Sequence, residues 1–383
     1  MKIGLLGLGT IGSGVFEHIS RREDMEIKRI LDLRDFPELS HLLTKNFDDI
    51  LNDPEIDTVV ELIGGIEPAH TFTVKALKAG KNVVSANKLM LSHNMEEILT
   101  TARENNVHYR YDASVGGSIP CLYNIMRHSS ADEITGIAGI VNGTTNLILD
   151  IMQTSDRGFD EVLKQAQAEG YAEADPSSDI DGIDAECKIC IASAVAYKKY
   201  VRHEDVNTEG IRYITGDDIK YFRENKYVCR LLAQSKRLES GAISCYVEPT
   251  LVSPESTEAA VHVNNNTVAL YGKYFGQQNF QGQGAGKDPT AFAVVMGLVD
   301  IMDNVSGKLN PIPAGYAEVD NAADAHAYYL RTSAEVSIPA KKLGPCAGGY
   351  AYITEPVSVS EMHALAKKLR ETDPKLFFAG VRD

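Results

Sequence analysis

The sequence predicts an α/β protein: a parallel-sheet domain, then a mixed α+β domain, then a short C-terminal tail. Two observations support this fold class. Short apolar runs alternate with amphipathic stretches through residues 1–125, as in strands connected by helices. Longer strand-like runs, such as 243–249 and 259–270, follow without that alternation. A chain of 383 residues is long enough for two or three domains.

The predicted boundaries lie where this pattern changes. We place the first domain at 1–125 and the second at 126–285. An apolar helix within 286–305 is predicted to return to the first domain, and 306–383 forms the tail.

A glycine-rich turn opens the first domain. The run Lys2–Leu6 is typical of a buried strand, and G-x-G-x-x-G spacing follows it before a predicted helix. In a Rossmann-type sheet these glycines allow a tight turn, a close approach of a pyrophosphate, and helix–strand packing. The helix N-terminus supplies amides for the phosphates, so the motif predicts dinucleotide binding. The predicted contacts are Gly7, Gly9, Thr10, Ile11 and Gly12.

Two later strands end at residues that suit the same site. The apolar run 58–63 leads into Gly64, and the run 82–85 ends at Ser85, shortly before Lys88. Ligands of open parallel sheets lie beyond the carboxyl ends of the strands. We therefore expect Gly64, Ser85 and Lys88 near the dinucleotide.

The segment 168–188 carries seven carboxylates but only one cation, Lys188. A calcium loop is excluded, because aligning Gly182 to position six puts Ser177 at position one and Lys188 at position twelve. Asp184 and Lys188 are four residues apart in a predicted helix, so they share a face. Two alternatives remain: an ordinary helix salt bridge, or a site that binds a zwitterionic amino acid and transfers protons through the lysine.

Composition excludes several classes of partner. The net charge of −15 argues against binding to nucleic acids or anionic membranes, and no apolar run approaches the roughly 18 residues that span a bilayer. Cys187 and Cys190 form a C-x-x-C without a second pair or a nearby histidine, which favours buried thiols over zinc or redox chemistry. We expect a cytoplasmic, reduced protein.

Six blocks, in this order, resemble the homoserine dehydrogenases from residue 1 to about 300. They are GLGTIG at 7–12, SANK at 85–88, YDASVGGSIP at 111–120, VNGTTN at 141–146, GYAEADPSSDIDGIDAECK at 170–188 and GQGAGKDPTA at 282–291. The fifth block is highly specific. The resemblance therefore favours a catalytic site over an ordinary salt bridge.

The resemblance implies oxidoreduction between L-homoserine and L-aspartate 4-semialdehyde with a nicotinamide cofactor, in threonine and methionine biosynthesis. Lys188 matches the family's acid/base lysine and Lys88 its second active-site lysine, and repulsion between them would favour a neutral amine. The second domain would be catalytic and would pair two chains into a homodimer. The residues that match substrate-binding positions or lie beside them are Glu173, Asp184, Asp179, Thr144 and Gly143.

Cofactor and cation contacts are implied in the same way. Gly286 matches a cofactor-contacting glycine. Asp32 suits the ribose of NAD, whereas Arg34 matches an arginine that faces the 2′-phosphate of NADP, so both cofactors stay open. The residues that match a monovalent-cation (Na⁺) site are Asp112, Val115, Gly117 and Ile119, with an aspartate where the family usually has the longer glutamate.

Other classes provide two rival interpretations. One is a different Rossmann amino-acid oxidoreductase, such as an aspartate dehydrogenase, against which the acidic segment and the second lysine count. The other is a non-catalytic nicotinamide-sensing regulator, against which the acidic charge counts.

The tail is predicted to hold two strands, 326–331 and 376–381, and an amphipathic helix, 358–370. Two strands are too few for the βαββαβ regulatory module found in much of the family. We therefore expect weak or absent threonine feedback. Because the chain starts at the glycine turn, we also expect no aspartate-kinase domain upstream.

Overall fold

The computed structural model describes residues 1–305 and 312–382, which divide into two units. The first unit comprises 1–132, 191–200 and 282–316, and the second comprises 133–190, 201–281 and 317–383. The first residues of the predicted tail, 306–311, lie outside the described residues. No helix in the described ranges combines the length and apolar character needed to cross a membrane.

A six-stranded, all-parallel sheet forms the centre of the first unit. Its strands are β1 (Lys2–Leu6), β2 (Glu26–Leu31), β3 (Leu43–Thr44), β4 (Thr58–Glu61), β5 (Asn82–Ser85) and β6 (Tyr109–Arg110). Their order, β3-β2-β1-β4-β5-β6, is that of a doubly wound dinucleotide-binding sheet. The switch point between β1 and β4 puts the carboxyl ends of both strands at one edge, where such sheets bind ligands.

Helices cover this sheet. They are α1 (Thr10–Ile19), α2 (Asp48–Leu51), α3 (Ala69–Lys78), α4 (Lys88–Glu104), α5 (Cys121–His128) and, later in the chain, α11 (Lys287–Met302). Helix α11 packs on α1, and Gly14 makes the close approach possible because a Cβ there would lie 3.0 Å from Ala291 Cβ. Buried Val294 and Leu298 of α11 join the core formed by Ile3 and Leu5 of β1.

A ten-stranded mixed sheet organises the second unit. Its main path runs β12-β11-β7-β9-β10-β18-β14-β16-β15, with β8 paired to β10. These strands are β7 (Ile134–Ile140), β8 (Asn207–Thr208), β9 (Val228–Arg237), β10 (Ile243–Val252), β11 (Asn265–Gly272), β12 (Gly276–Gln283), β14 (Tyr328–Thr332), β15 (Ala340–Cys346), β16 (Gly349–Thr354) and β18 (Phe377–Val381). A separate pair consists of β13 (Ala325–His326) and β17 (Val357–Ser358).

The remaining helices are α6 (Gly143–Thr154), α7 (Phe159–Ala168), α8 (Ser177–Ile180), α9 (Ile183–Tyr197), α10 (Gly216–Glu224) and α12 (Val359–Leu369). Helix α6 packs on β9 and β11, and helix α10 packs on β9. The first residues of α9 belong to the second unit and residues 191–197 to the first.

The prediction that the tail has two strands is wrong. Four strands, β14, β15, β16 and β18, lie side by side in the order β18-β14-β16-β15 and extend the large sheet through the parallel pair β10–β18. A βαββαβ module has four strands, so the tail lacks only the first helix, which the connection 333–339 replaces. Side chains of this connection, Ala334, Val336 and Ile338, pack on the core under α12. The premise of the expectation of weak threonine feedback, that the tail has too few strands for this module, is therefore wrong.

Residues 142–146 form the cap and first turn of α6, because Asn142 accepts a hydrogen bond from the backbone of Thr145. The predicted strand 259–270 begins only at Asn265. All six cysteines are free thiols, and Cys187 and Cys190 are buried, as predicted.

Candidate active site

The glycine turn has the backbone geometry that a bound pyrophosphate requires. Gly7 has a φ of +92°, and a Cβ there would lie 2.9 Å from the carbonyl oxygen of Leu62. A Cβ at Gly12 would overlap the carbonyl of Gly7, whereas Gly9, which caps α1, faces open space. Thr10 and Ile11 begin α1, so their amides belong to its unpaired N-terminus. These residues fit a dinucleotide phosphate.

Asp32 and Arg34 follow β2 and form one charged group. Asp32 Oδ2 accepts hydrogen bonds from Leu8 N of the glycine turn (2.7 Å) and from Arg34 Nη2 (2.8 Å), and Oδ1 accepts one from Arg34 Nε (3.0 Å). The guanidinium holds the pKa of Asp32 well below its usual range, so the carboxylate is ionised. Asp32, the acid that suits NAD, thus pairs with Arg34, the arginine that would otherwise face the 2′-phosphate of NADP.

A buried carboxylate joins the ends of β4 and β5. Glu61 is fully buried, and it accepts hydrogen bonds from Ile63 N (2.7 Å) and Ser85 Oγ (2.6 Å). Ser85 Oγ accepts in turn from Asn87 N (3.0 Å). The hydroxyl of Ser85, which the sequence analysis assigned to the cofactor, is therefore directed to Glu61. Burial raises the pKa of Glu61 to about 7.

This network positions the start of α4. Asn87 caps the helix through Met90 N (3.0 Å) and donates to the carbonyls of Ile63 and Gly65 (both 2.8 Å). Lys88, the first residue of α4, is half-buried. Gly64 lies in the loop that Asn87 holds, and no atom is within 4 Å of the place a Cβ would occupy.

Lys188 lies in a buried polar group of the second unit. It is 7% exposed, and its Nζ donates to Asp184 Oδ2 and to the carbonyl of Val141 (both 2.6 Å). The predicted i, i+4 pair on α9 is therefore formed.

Asn142 joins the carboxylates of this group. Its Nδ2 donates to Asp179 Oδ1 (2.7 Å) and to Asp184 Oδ2 (2.9 Å). Burial and the neighbouring Asp184 raise the pKa of Asp179, which Asn142 and Lys188 oppose. Thr144, at the start of α6, donates to the carbonyl of Tyr171 (2.8 Å).

Glu173 and Gly143, which were predicted to bind substrate, have contacts that differ from those of Asp179 and Asp184. Glu173 is exposed on the loop before α8, and no hydrogen bond between described residues joins its carboxylate to Asn142, Asp184 or Lys188. Gly143 packs closely on the second unit's own backbone, because a Cβ there would lie 2.7 Å from Asn264 O.

The predicted cation residues lie in the first unit. Asp112 is half-buried, its buried Oδ1 atom has no hydrogen-bond partner, and the loss of solvation raises its pKa to about 6. Gly117 has a φ of +55° and approaches the backbone of Gly284. Val115 O accepts from the thiol of Cys121 (3.0 Å), and Ile119 O accepts from Cys121 N (2.7 Å). An unpartnered buried carboxylate oxygen fits a cation. No group of three or more His, Cys, Asp or Glu side chains in the described ranges forms a metal site.

Asn142 and Glu61 were not predicted as site residues. Each had a signal: Asn142 is an asparagine between a strand and a helix, as N-caps are, and Glu61 is an acid inside an apolar parallel strand. Gly286, which was predicted, caps α11 with a φ of +118°.

The strand order, the glycine turn and the acid after β2 are those of a dinucleotide-binding domain of the doubly wound class. The family model described as "Homoserine dehydrogenase, NAD binding domain" matches residues 7–112, and the model "Homoserine dehydrogenase" matches residues 120–299. The chain belongs to the homoserine dehydrogenase family. The predicted fold class is confirmed.

Individual relatives agree with this assignment. The chain is 40% identical to homoserine dehydrogenase of Bacillus subtilis, over 80% of this chain and 73% of that one. It is 38% identical to the Pseudomonas aeruginosa homoserine dehydrogenase, over 88% and 82% of the two chains. The crystal structure of a homoserine dehydrogenase from Thiobacillus denitrificans superposes with a TM-score of 0.89 at 33% identity, covering 100% of this chain and 98% of that one.

Proposed function

We propose that this chain interconverts L-homoserine and L-aspartate 4-semialdehyde with NAD or NADP, as a step of threonine and methionine biosynthesis. The observation that carries the proposal is the hydrogen-bonded group of buried Lys188 and Asp184 with half-buried Asp179. Homoserine has an ammonium group, which carboxylates bind, and a hydroxyl group, which a lysine can deprotonate. Six free thiols are consistent with a reducing, cytoplasmic compartment.

In this proposal Lys188 is the general base for the hydroxyl proton, and it returns the proton in the reverse direction. The nicotinamide, when bound, supplies the hydride acceptor. Asp184 and Val141 O orient the amine of Lys188. Lys88 acts as the second lysine and holds the substrate oxygen. The residues proposed to bind the amino acid are Glu173, Asp179, Asp184, Thr144 and Gly143.

Replacing Lys188 by alanine tests this assignment. We expect Lys188→Ala to lower kcat on the order of a hundredfold or more, as loss of a general base does, with little change in the KM for the cofactor. The assay follows NAD(P)H absorbance with homoserine, with aspartate and with buffer alone. Lys164→Ala, an exposed lysine of α7, is the matched control and should leave kcat unchanged. Near-native turnover of Lys188→Ala would refute the role, and reduction of the cofactor only with aspartate would favour an aspartate dehydrogenase.

We also infer a Na⁺ site at Asp112 with the carbonyl oxygens of Val115, Gly117 and Ile119. The unpartnered oxygen of Asp112 supports it, because a buried carboxylate is stabilised by a nearby cation.

We infer a homodimer that pairs the large sheets of two copies. A cavity of about 450 Å³ on this sheet is lined by side chains of β9, β10 and β11, among them Gln234, Tyr246 and Tyr271. Tyrosines beside polar groups are enriched where protein surfaces meet.

A further inference from the structure

We propose that Asn142 is a positioning residue. It holds the carboxylates of Asp179 and Asp184 together and keeps both of them ionised. This inference rests on the proposed function and adds a residue to it. Asn142 is 5% exposed and lies between β7 and α6.

The two N–H groups of the Asn142 amide account for its contacts with the acidic residues. One can donate to Asp179 Oδ1 at 2.7 Å and the other to Asp184 Oδ2 at 2.9 Å. Two neighbouring carboxylates repel, and the pKa of Asp179 is raised by desolvation and by Asp184. A shared donor favours the ionised form of each carboxylate, which is the form that binds an ammonium group.

The oxygen of the same amide fixes its orientation. Oδ1 accepts from Thr145 N (2.9 Å) and Thr145 Oγ1 (3.0 Å), which caps α6. The nitrogen must therefore face Asp179 and Asp184. Capping and bridging use opposite ends of one side chain, so substitution can separate them.

Two variants keep the cap and remove the bridge. Serine and aspartate are both good N-cap residues, so Asn142→Ser and Asn142→Asp should preserve α6. Asn142→Ser removes both donors without adding charge, and we expect the KM for homoserine to rise about tenfold, the usual effect of losing a hydrogen bond to a charged group. The KM for the cofactor should not change.

The Asn142→Asp variant should make the homoserine KM depend on pH, which would not happen if Asn142 had only a structural role. The titratable groups that face this position are Asp179 on α8 and Asp184 and Lys188 on α9. Next to two carboxylates the new acid should bind a proton well above its usual pKa, and its protonated form can donate one hydrogen bond. We compare the homoserine KM of Asn142→Asp with that of Asn142→Ser at the same pH. We expect the ratio of the first KM to the second to fall about tenfold from pH 9 to pH 6.

Asn225→Asp makes the same chemical change at the exposed end of α10 and should show no such pH dependence. Urea unfolding of each variant reports whether it folds. If Asn142→Asp does not fold, the Asn142→Ser result decides: a rise in the homoserine KM larger than the fall in kcat supports the proposal. An unchanged homoserine KM in Asn142→Ser, or a flat ratio between the folded variants, would overturn it.

The failure of this proposal is distinguishable from failure of the proposed function. If the wild-type chain does not reduce NAD(P) with homoserine, the function is wrong. If the wild-type chain is active but the Asn142 variants bind homoserine normally, only the positioning role is wrong.

Discussion

In each unit, polar side chains at the carboxyl ends of strands organise the candidate site residues. Asp32 follows β2, Glu61 ends β4, and Asn142 follows β7. Asp32 accepts a hydrogen bond from the glycine turn, Glu61 accepts one from Ser85 of β5, and Asn142 donates one to Asp179 of α8. Such contacts are strong because the side chains are largely removed from water. The single residues that organise the site are therefore acids and amides that need not contact substrate.

Asp32 is expected to set the cofactor preference. Its ionised carboxylate would repel the 2′-phosphate of NADP, and it engages the guanidinium of Arg34. We predict that Asp32→Ser lowers the ratio of kcat/KM for NAD to that for NADP on the order of tenfold or more, because the repulsion is lost and Arg34 is released. Steady-state kinetics with both cofactors measure this ratio.

Asp35→Ser is the matched control, because this nearby acid is exposed and pairs with Lys45. It changes the net charge by the same amount and should leave the ratio unchanged. Equal effects of the two substitutions would mean that only the general charge of the region matters.

Glu61 is expected to make stability depend on pH. Its pKa is raised from 4.5 to about 7, so the folded state holds a proton that the unfolded state releases between these values. The contribution to stability is therefore complete below pH 4.5 and is lost as the pH rises toward 7. The free energy of unfolding should fall over this range by about 3 kcal/mol at most.

Glu61→Gln cannot titrate, so its free energy of unfolding should lack this part of the pH dependence. Urea unfolding at pH 5 and pH 8 measures the difference between wild type and variant. Glu38→Gln, at an exposed glutamate of the same unit, should retain the wild-type slope. Parallel curves for wild type and Glu61→Gln would contradict the assignment.

Among the secondary-structure elements, α8 and α9 are held by a segment that follows them in the chain. This segment, residues 203–212, is called the backing segment, and it forms hydrogen bonds with both helices. Ile211 N donates to Ile180 O (2.7 Å), and Arg212 binds both oxygens of Asp181 at 2.6 Å. Thr208 donates to Glu186 (2.6 Å). The start of α9, which carries Asp184 and Lys188, is thus held by a segment remote from it in sequence.

The C-terminal tail holds the backing segment in turn. Arg370, at the end of α12, donates to both oxygens of buried Glu209 at 2.9 and 2.6 Å. Burial raises the pKa of Glu209, and Arg370 opposes this effect. The tail is therefore expected to contribute to the substrate site through this ion pair.

We predict that Arg370→Gln lowers the free energy of unfolding by about 2–4 kcal/mol, because the carboxylate of Glu209 loses its charged partner. The KM for homoserine should rise with it. Lys367→Gln, an exposed lysine of the same helix, is the control for the loss of a positive charge. The double variant Glu209→Gln/Arg370→Gln should recover part of the stability, since no unpaired charge remains buried. Additive losses in the double variant would show that the pair is not coupled.

At the scale of the whole molecule, a homodimer is the expected state. Light scattering coupled to size exclusion at micromolar concentration should give twice the mass of the chain, and dilution should not change it if the paired surface is of ordinary stable size. A monomer mass at that concentration would contradict the pairing of the large sheets.

Much of the first unit could be predicted because its signals are local. The strands Lys2–Leu6 and Asn82–Ser85 were predicted with the bounds they have, since an apolar run between turn residues specifies a buried parallel strand. The tail was predicted less well: β15 contains Lys341 and Lys342 and is largely exposed, so its run lacks an apolar pattern. Pairing with β16 makes it a strand.

The glycine turn and the pair of Asp184 and Lys188 could be predicted from local sequence. Both depend on short-range geometry: a positive φ that favours glycine, and the repeat of one helix. By contrast, the bridge from Asn142 to Asp179 and Asp184, residues 37 and 42 positions further along the chain, and the place of β18 between β10 and β14 follow from the tertiary fold. These contacts depend on how distant elements pack, and no local pattern specifies which distant partner a buried amide or a strand edge will meet.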